Sequence, residues 1–484
     1  MGVDGAYERA RFPQHLFDNL AEPPPDTDLA MRAAEAFPAR FVGMSAKTGL
    51  HADQARCIGR LVSVLGIAGL YAPGWMLAML GGLSVVVFSL IIVYRLALAL
   101  FGESRAYLLT DPASVSLLLP VYTILIALKD EASCMPQLSD SLMALEYPRH
   151  LLDVKLLLET GDEATLDAIH AQIWPEGTEV LVLPPGLPQT KPRALNYGLA
   201  RARGAFVTVY DAEDRPNPGQ LLEAARRFAW DPELACVQAP LVGNVRFGSW
   251  LSRHWALEYA IQFNRLVPAL ARLGMPIPLG GTSNHFRRRA LLAAGGWDAW
   301  NVTEDADLGL RFARQGKKVG VIAPPTVEMP PQRLGVWIGQ RSRWLKGFVQ
   351  TWLVLMREPV SAAREMGVLR FLSMQLTLGA AILSALLHLP WLVWCAICLM
   401  APGATLSGAS WTMLGVAYLA GAVMALTVPS TKFSVRLTDI VTLPFYWPLQ
   451  FVALMRAFYS LSRRPHFWVK TPRETPRARR DGPG

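Results

Sequence analysis

The sequence predicts an α/β domain set between membrane-spanning helices, and three observations lead there. Of 484 residues, 52% are hydrophobic and 18% charged, too apolar a balance for the charged surface of an ordinary soluble enzyme. Nearly uncharged stretches stand on both sides of a central region. Inside it, over 114–347, short apolar runs alternate with amphipathic segments, the texture of strands and helices in an open sheet.

Region 1–56 carries acids and several prolines but no short apolar core behind a basic start. It does not read as a secretory signal and is expected in the cytoplasm. Residues 57–101 are almost uncharged and are broken at Tyr71-Ala72-Pro73-Gly74, so a transmembrane hairpin is expected. Arg56, Arg60, Arg95 and Arg105 flank it while the hairpin tip has no charge, which puts both ends inside. The domain that follows is then cytoplasmic. Its strands are expected at 121–128, 154–158, 180–183, 206–210 and 236–240, with helices at 136–145, 163–173, 191–203 and 220–229. Ligands of such sheets gather at the carboxyl ends of the strands.

An interfacial amphipathic segment is expected over 348–369, and a membrane region over 370–461 with apolar runs at 371–389, 391–400, 411–428 and 440–461. The tail, 462–484, is strongly basic and expected inside, so the crossings before it are even in number and four are favoured. The alternative at His388-Leu389-Pro390 is one long tilted helix. Formal net charge is +9, with Lys and Arg beside apolar runs and in the tail; this suits the lipid bilayer and phosphate ligands. No helix-turn-helix, zinc-finger or RNA-binding motif appears, so no nucleic-acid partner is expected. The five cysteines are scattered and read as packing residues.

Three motifs carry chemistry. Asp211-Ala212-Glu213-Asp214 places three carboxylates in four residues at a strand-to-loop transition. Hard oxygens at that spacing suit Mg²⁺ or Mn²⁺, and the plainer alternative is an acid-rich turn before Pro216. Thr303-Glu304-Asp305-Ala306-Asp307 precedes a helix expected at 308–315. Acids there are often only dipole and capping partners, but sugar transfer with inversion needs a base on the acceptor hydroxyl, and Asp305 is the candidate. In Gln340-Arg341-Ser342-Arg343-Trp344, Arg343 can bridge two diphosphate oxygens, Gln340 can donate beside it, and Trp344 offers a flat face to a sugar. A basic interfacial helix with a Trp at headgroup depth fits the same residues.

In this order the motifs resemble glycosyltransferase family 2, in the membrane-embedded processive branch of cellulose and hyaluronan synthases, over about 122–347. The resemblance implies a cytoplasmic GT-A (Rossmann-like) domain and inverting transfer from a nucleotide-diphosphate sugar, a UDP-sugar by preference. The acceptor would be a growing polysaccharide at the inner membrane, with coupled export. The alternatives are single transfer to a lipid carrier or other acceptor, and an inactive membrane scaffold. By the same resemblance Asp211 and Glu213 hold metal and donor, with Asp214 a rival ligand. Asp305 is the base with Glu304 beside it, and Gln340, Arg343 and Lys191 serve the donor. Glu159 and Asp162 compete for the nucleobase, where relatives often carry an Asp pair. Thr303, Trp344 and His285 are assigned to the acceptor, His285 within Gly280-Gly281-Thr282-Ser283-Asn284-His285-Phe286. Lys129-Asp130-Glu131 stands where Tyr-Asn-Glu is usual. Region 250–270, with Trp255, Tyr259 and Phe263 at helical spacing, is expected as an interfacial helix, or else a buried one. Envelope or export proteins are possible partners. The reading requires Asp211, Asp305 and Arg343 to converge on one pyrophosphate.

Overall fold

In a computed structural model the chain is described at residues 20–102, 118–245, 248–400 and 408–467. Arg105, the basic tail beyond 467 and the start of the N-terminal region lie outside these residues. A seven-stranded sheet organises the centre in the order β3-β2-β1-β4-β8-β6-β9. Its strands are β1 Tyr122–Leu128, β2 Leu152–Glu159, β3 Glu179–Leu183, β4 Phe206–Val209, β6 Leu234–Gln238, β8 Asn284–Arg287 and β9 Lys318–Val321. β1 runs parallel to both β2 and β4. Helices cover both faces, so β1 and β2 are almost wholly buried, and β1 reads as an uncharged, largely apolar run. Within β2 the buried Lys155 is neutralised by its neighbours: its Nζ lies 2.9 Å from Asp153 and 2.8 Å from Glu179.

All five expected strands form. β8 was not expected, because Asn284-His285-Phe286-Arg287 has no apolar alternation. It inserts antiparallel between β4 and β6, and its His285 and Arg287 side chains hydrogen-bond inside the domain. A second sheet joins β5 Arg215–Pro216, β10 Thr326–Glu328 and β7 Leu241–Gly243, in the order β5-β10-β7. It folds over the carboxyl ends of the main sheet and carries Glu328 into the site.

Helix Ala52–Tyr71 turns at Ala72 into Pro73–Phe101, with Pro73 in the first turn, where its missing N–H costs nothing. Among the described residues two helices are long and apolar enough to cross a membrane, Pro73–Phe101 and Val368–Met400. A shorter apolar helix is Trp411–Thr427. Pro390 lies inside Val368–Met400, so the expected pair at 371–400 is one helix.

The expected crossing at 440–461 is corrected too. Pro444 and Pro448 break it into Leu437–Val441, Leu443–Tyr446 and Leu449–Arg463. The last piece buries Ala453, Leu454 and Ala457 in the same core as Trp337, Leu345 and Val349 of helix Leu334–Leu355. That helix also runs through the expected boundary at 347/348 without interruption. Region 250–270 is buried rather than interfacial. Trp255 is fully enclosed, and the helix continues through a π turn at Gln262–Leu266.

Candidate active site

The site is assembled at the carboxyl ends of the central strands. Glu159 is the last residue of β2, and Asp211 follows β4 by two positions. Lys191 opens helix Lys191–Ala200, and its ammonium pairs with the Asp211 carboxylate and donates to the Gly281 carbonyl at 2.6 Å. The acids of the Thr303 motif sit in the first turn of helix Glu304–Arg314, which begins four residues earlier than 308. A Cβ on Gly281 would lie 3.3 Å from Asp305 Oδ2, so the small residue leaves the carboxylate its room.

Electrostatics separates the paired acids. Burial, then the charge of Asp305, pushes Glu304 up to about 8, against the pull of Lys191 and Arg343. Burial raises Asp305 as well, opposed by the Ala306 N–H, which donates to Oδ1 at 2.8 Å, and by Lys191 and Arg343. Glu304 is therefore the member that holds a proton near neutral pH. Burial disfavours the charge on Lys191, but Asp211, Glu304 and Asp305 together raise its pKa.

Helix Leu334–Leu355 brings the third motif. Arg343 acts electrostatically on both Glu304 and Asp305. Gln340 Oε1 accepts from Trp255 Nε1 at 2.9 Å, and the Trp344 ring stacks near Tyr259 at 6.0 Å between centroids. The approach of this helix to the Thr303 loop depends on Gly347, where a Cβ would stand 2.2 Å from Thr303 Oγ1. That hydroxyl is buried and has no hydrogen-bond partner among the described residues.

Three expected residues stand apart. His285 is fully buried in β8: its Nδ1 lies 2.8 Å from Tyr122 Oη, and its Nε2 lies 3.1 Å from Gln220 Oε1. Burial pushes it down to about 3, so it is a neutral core group rather than an acceptor contact. Asp162 caps helix Glu163–His170, accepting from Thr165 N at 3.2 Å and from Asp130 N at 2.5 Å. Both its oxygens are taken by backbone, and Glu159 alone of that pair lines the cavity. Asp214 is buried, and its Oδ2 accepts from Asp211 N at 2.8 Å and from the Thr282 hydroxyl; unlike Asp211 and Glu213 it does not line the cavity.

Residues without a motif complete the site. Burial, then Asp214, Asp211 and Glu213, raise Glu328 far above the carboxylate range, so it faces the same acid group from β10. Arg341, the unassigned Arg of its motif, pairs with Glu258 and lies 4.6 Å over Trp344. Among the described residues no three Asp, Glu, His or Cys side chains form a closed metal cage. Asp211 and Glu213 nevertheless suit Mg²⁺ or Mn²⁺, which takes few protein ligands and completes its shell with water and phosphate.

Asp211, Asp305 and Arg343 line one cavity of about 740 Å³. Its donor half also holds Glu159, Lys191 and Glu213, and its other half continues among the apolar helices, past Arg95, Ala385 and Ala420.

The family model for glycosyl transferase family group 2 matches residues 206–424. Over that stretch the chain is similar to glycosyltransferase family 2. The chain is similar to beta-monoglucosyldiacylglycerol synthase of Synechocystis, 28% identical over 302 residues, covering 60% of this chain and 61% of that protein. Cellulose synthase 2 of Novacetimonas hansenii is 26% identical over 217 residues, covering 43% and 13% of the two chains. The chain thus spans about three-fifths of the length of the curated lipid synthases it matches. The solved mannosyltransferase PcManGT from Pyrobaculum calidifontis, in complex with GDP-Man and Mn²⁺, has a TM-score of 0.50 at 20% identity, covering 78% of this chain and 99% of that one. That likeness is one of fold: the central sheet and its helices form a mixed α/β, GT-A-like fold.

Proposed function

We propose that the protein transfers a sugar from a nucleotide-diphosphate donor, with inversion, to a lipid hydroxyl at the cytoplasmic face of the plasma membrane. The observation that carries this reading is the shared cavity, in which the acids and Arg343 meet on one side and apolar helices on the other. Its membrane half presents Phe88, Ile91, Ile92, Ala385, Ala420 and Met424, groups that solvate an acyl chain but give a sugar no hydrogen bonds.

In this mechanism Asp305 takes the proton of the acceptor hydroxyl, a contribution of roughly 10²–10⁴-fold for a positioned base. Glu304, protonated beside it, leaves Asp305 as the charged partner. Arg343 and Lys191 face the diphosphate as the sugar bond breaks, where charge develops and fixed cations help most. When bound at Asp211 and Glu213, a divalent ion supplies further positive charge to the same leaving group. Glu159 lies toward the nucleobase and Gln340 serves the donor, while Thr303 and Trp344 border the acceptor.

A second reading, extension of a polysaccharide with coupled export, is favoured by the Gln340, Arg343 and Trp344 motif and by the similarity to a cellulose synthase. Purified protein in vesicles, given labelled UDP- and GDP-sugars with Mg²⁺ or Mn²⁺, separates the two. Label in the organic phase is the expected result. Label in a high-mass polymer supports the second reading, and no nucleoside diphosphate release with any donor leaves only an inactive scaffold.

A further inference from the structure

Helix Pro73–Phe101 contains one charged residue, Arg95, in 29 otherwise uncharged positions. A guanidinium within a membrane-length helix is costly unless it serves a polar partner. Arg95 shares the inward face of this helix with Ile91 and Leu98, and it lines the cavity rather than the lipid-facing side, where Leu90, Val93 and Leu100 are exposed. The acid that acts on it is Glu258. That carboxylate is already taken by Arg341 and by the Tyr446 hydroxyl, which donates at 2.8 Å. The membrane half of the cavity therefore holds two arginines, Arg95 and Arg341, against one carboxylate, Glu258. The surplus positive charge belongs to Arg95, which has no ion pair among the described residues.

From this we infer that the membrane half is a site for an anionic glycerophospholipid, with Arg95 holding the phosphate and the apolar walls taking the acyl chains. The lipid's free head-group hydroxyl then points along the cavity toward Asp305. The inference rests on the lipid-acceptor reading above and narrows it, because a neutral diacylglycerol would leave Arg95 uncompensated. A guanidinium suits this task through its two parallel N–H donors, which match phosphate oxygens. The walls beyond it, at Ser384, Ala385 and Ala420, are small enough to leave chain-sized space.

The test uses the full chain in phosphatidylcholine vesicles with either diacylglycerol or phosphatidylglycerol as the acceptor, and reads glycolipid formed. Wild type is expected to favour phosphatidylglycerol by at least about tenfold, a typical discrimination for a charged contact. Arg95→Gln should remove that preference through a fall on phosphatidylglycerol alone, and Arg95→Lys should keep part of it. Folding of each variant is checked by nucleotide binding. If Arg95→Gln does not fold, Ser384→Phe narrows the chain space without touching the charge, and should cut transfer to both lipids. Equal rates on the two lipids in wild type, or a preference that survives Arg95→Gln, overturns the inference and leaves the lipid-acceptor reading standing. Donor turnover with sugar on neither lipid overturns both.

Discussion

The two halves of the cavity are built by different means. On the donor side, charged groups are fixed by strand ends and helix starts: Lys191 is held by Asp211 and the Gly281 carbonyl, and Asp305 by the Ala306 N–H. On the membrane side the space exists because small residues on separate helices do not fill it, and its charge is that of Arg95 and Arg341 against Glu258. On the proposed function, the chemistry is held by the sheet and the acceptor is chosen by packing. Mutations should separate the two, with donor-side changes acting on rate and membrane-side changes on which acceptor is used.

The largest expected effect is that of Asp305→Asn, which should cut sugar transfer by roughly 10²–10⁴-fold, the worth of a positioned base. Nucleotide-sugar affinity, measured by calorimetry, should hardly change; a comparable loss of binding would place Asp305 on the donor instead. Arg343→Lys keeps a positive charge but loses the forked geometry, and about 10²-fold in kcat is expected to go with it. Next comes Gly347→Ala, whose new methyl meets Thr303. An overpacking cost of about 1–3 kcal/mol should appear as a lower Tm and a several-fold slower rate.

pH offers a finer separation. Asp305 must be ionised to accept a proton, so activity is lost as pH falls through its pKa. Burial raises that pKa, and the acid limb of kcat should lie above the ordinary carboxylate range near 4. Lys191→Met removes a charge that pulls Asp305 down, so its limb should move to still higher pH. A limb that moves down would mean another group controls it. The smallest effect is expected from His285→Gln, which should lower stability without altering acceptor KM, because the imidazole touches Tyr122 and Gln220 rather than the cavity.

Much of the donor half was legible because its groups sit in short local motifs at strand ends, and the five parallel-sheet runs have the apolar signature of strands buried on both faces. What was illegible has physical causes. β8 is polar in sequence because its partners are internal, so His285 looked like a site residue. Asp162 and Asp214 fit the acid pattern as well as Glu159 and Asp211 do, and only backbone hydrogen bonds assign them to caps and turns. Glu328 lies 114 positions beyond Asp214 and arrives through a three-residue strand with no motif. The helix over 449–463 is apolar enough to suggest a crossing, yet prolines and packing against Leu334–Leu355 hold it beside the catalytic domain.

The most direct test is a cryo-EM structure of the Asp305→Asn protein in lipid nanodiscs with nucleotide sugar and Mn²⁺. Diphosphate density between Asp211 and Arg343, with the sugar directed at residue 305 and lipid density in the membrane half, is the predicted result. A donor bound away from Asp211 and Arg343, or a membrane half closed off from residue 305, would contradict the account.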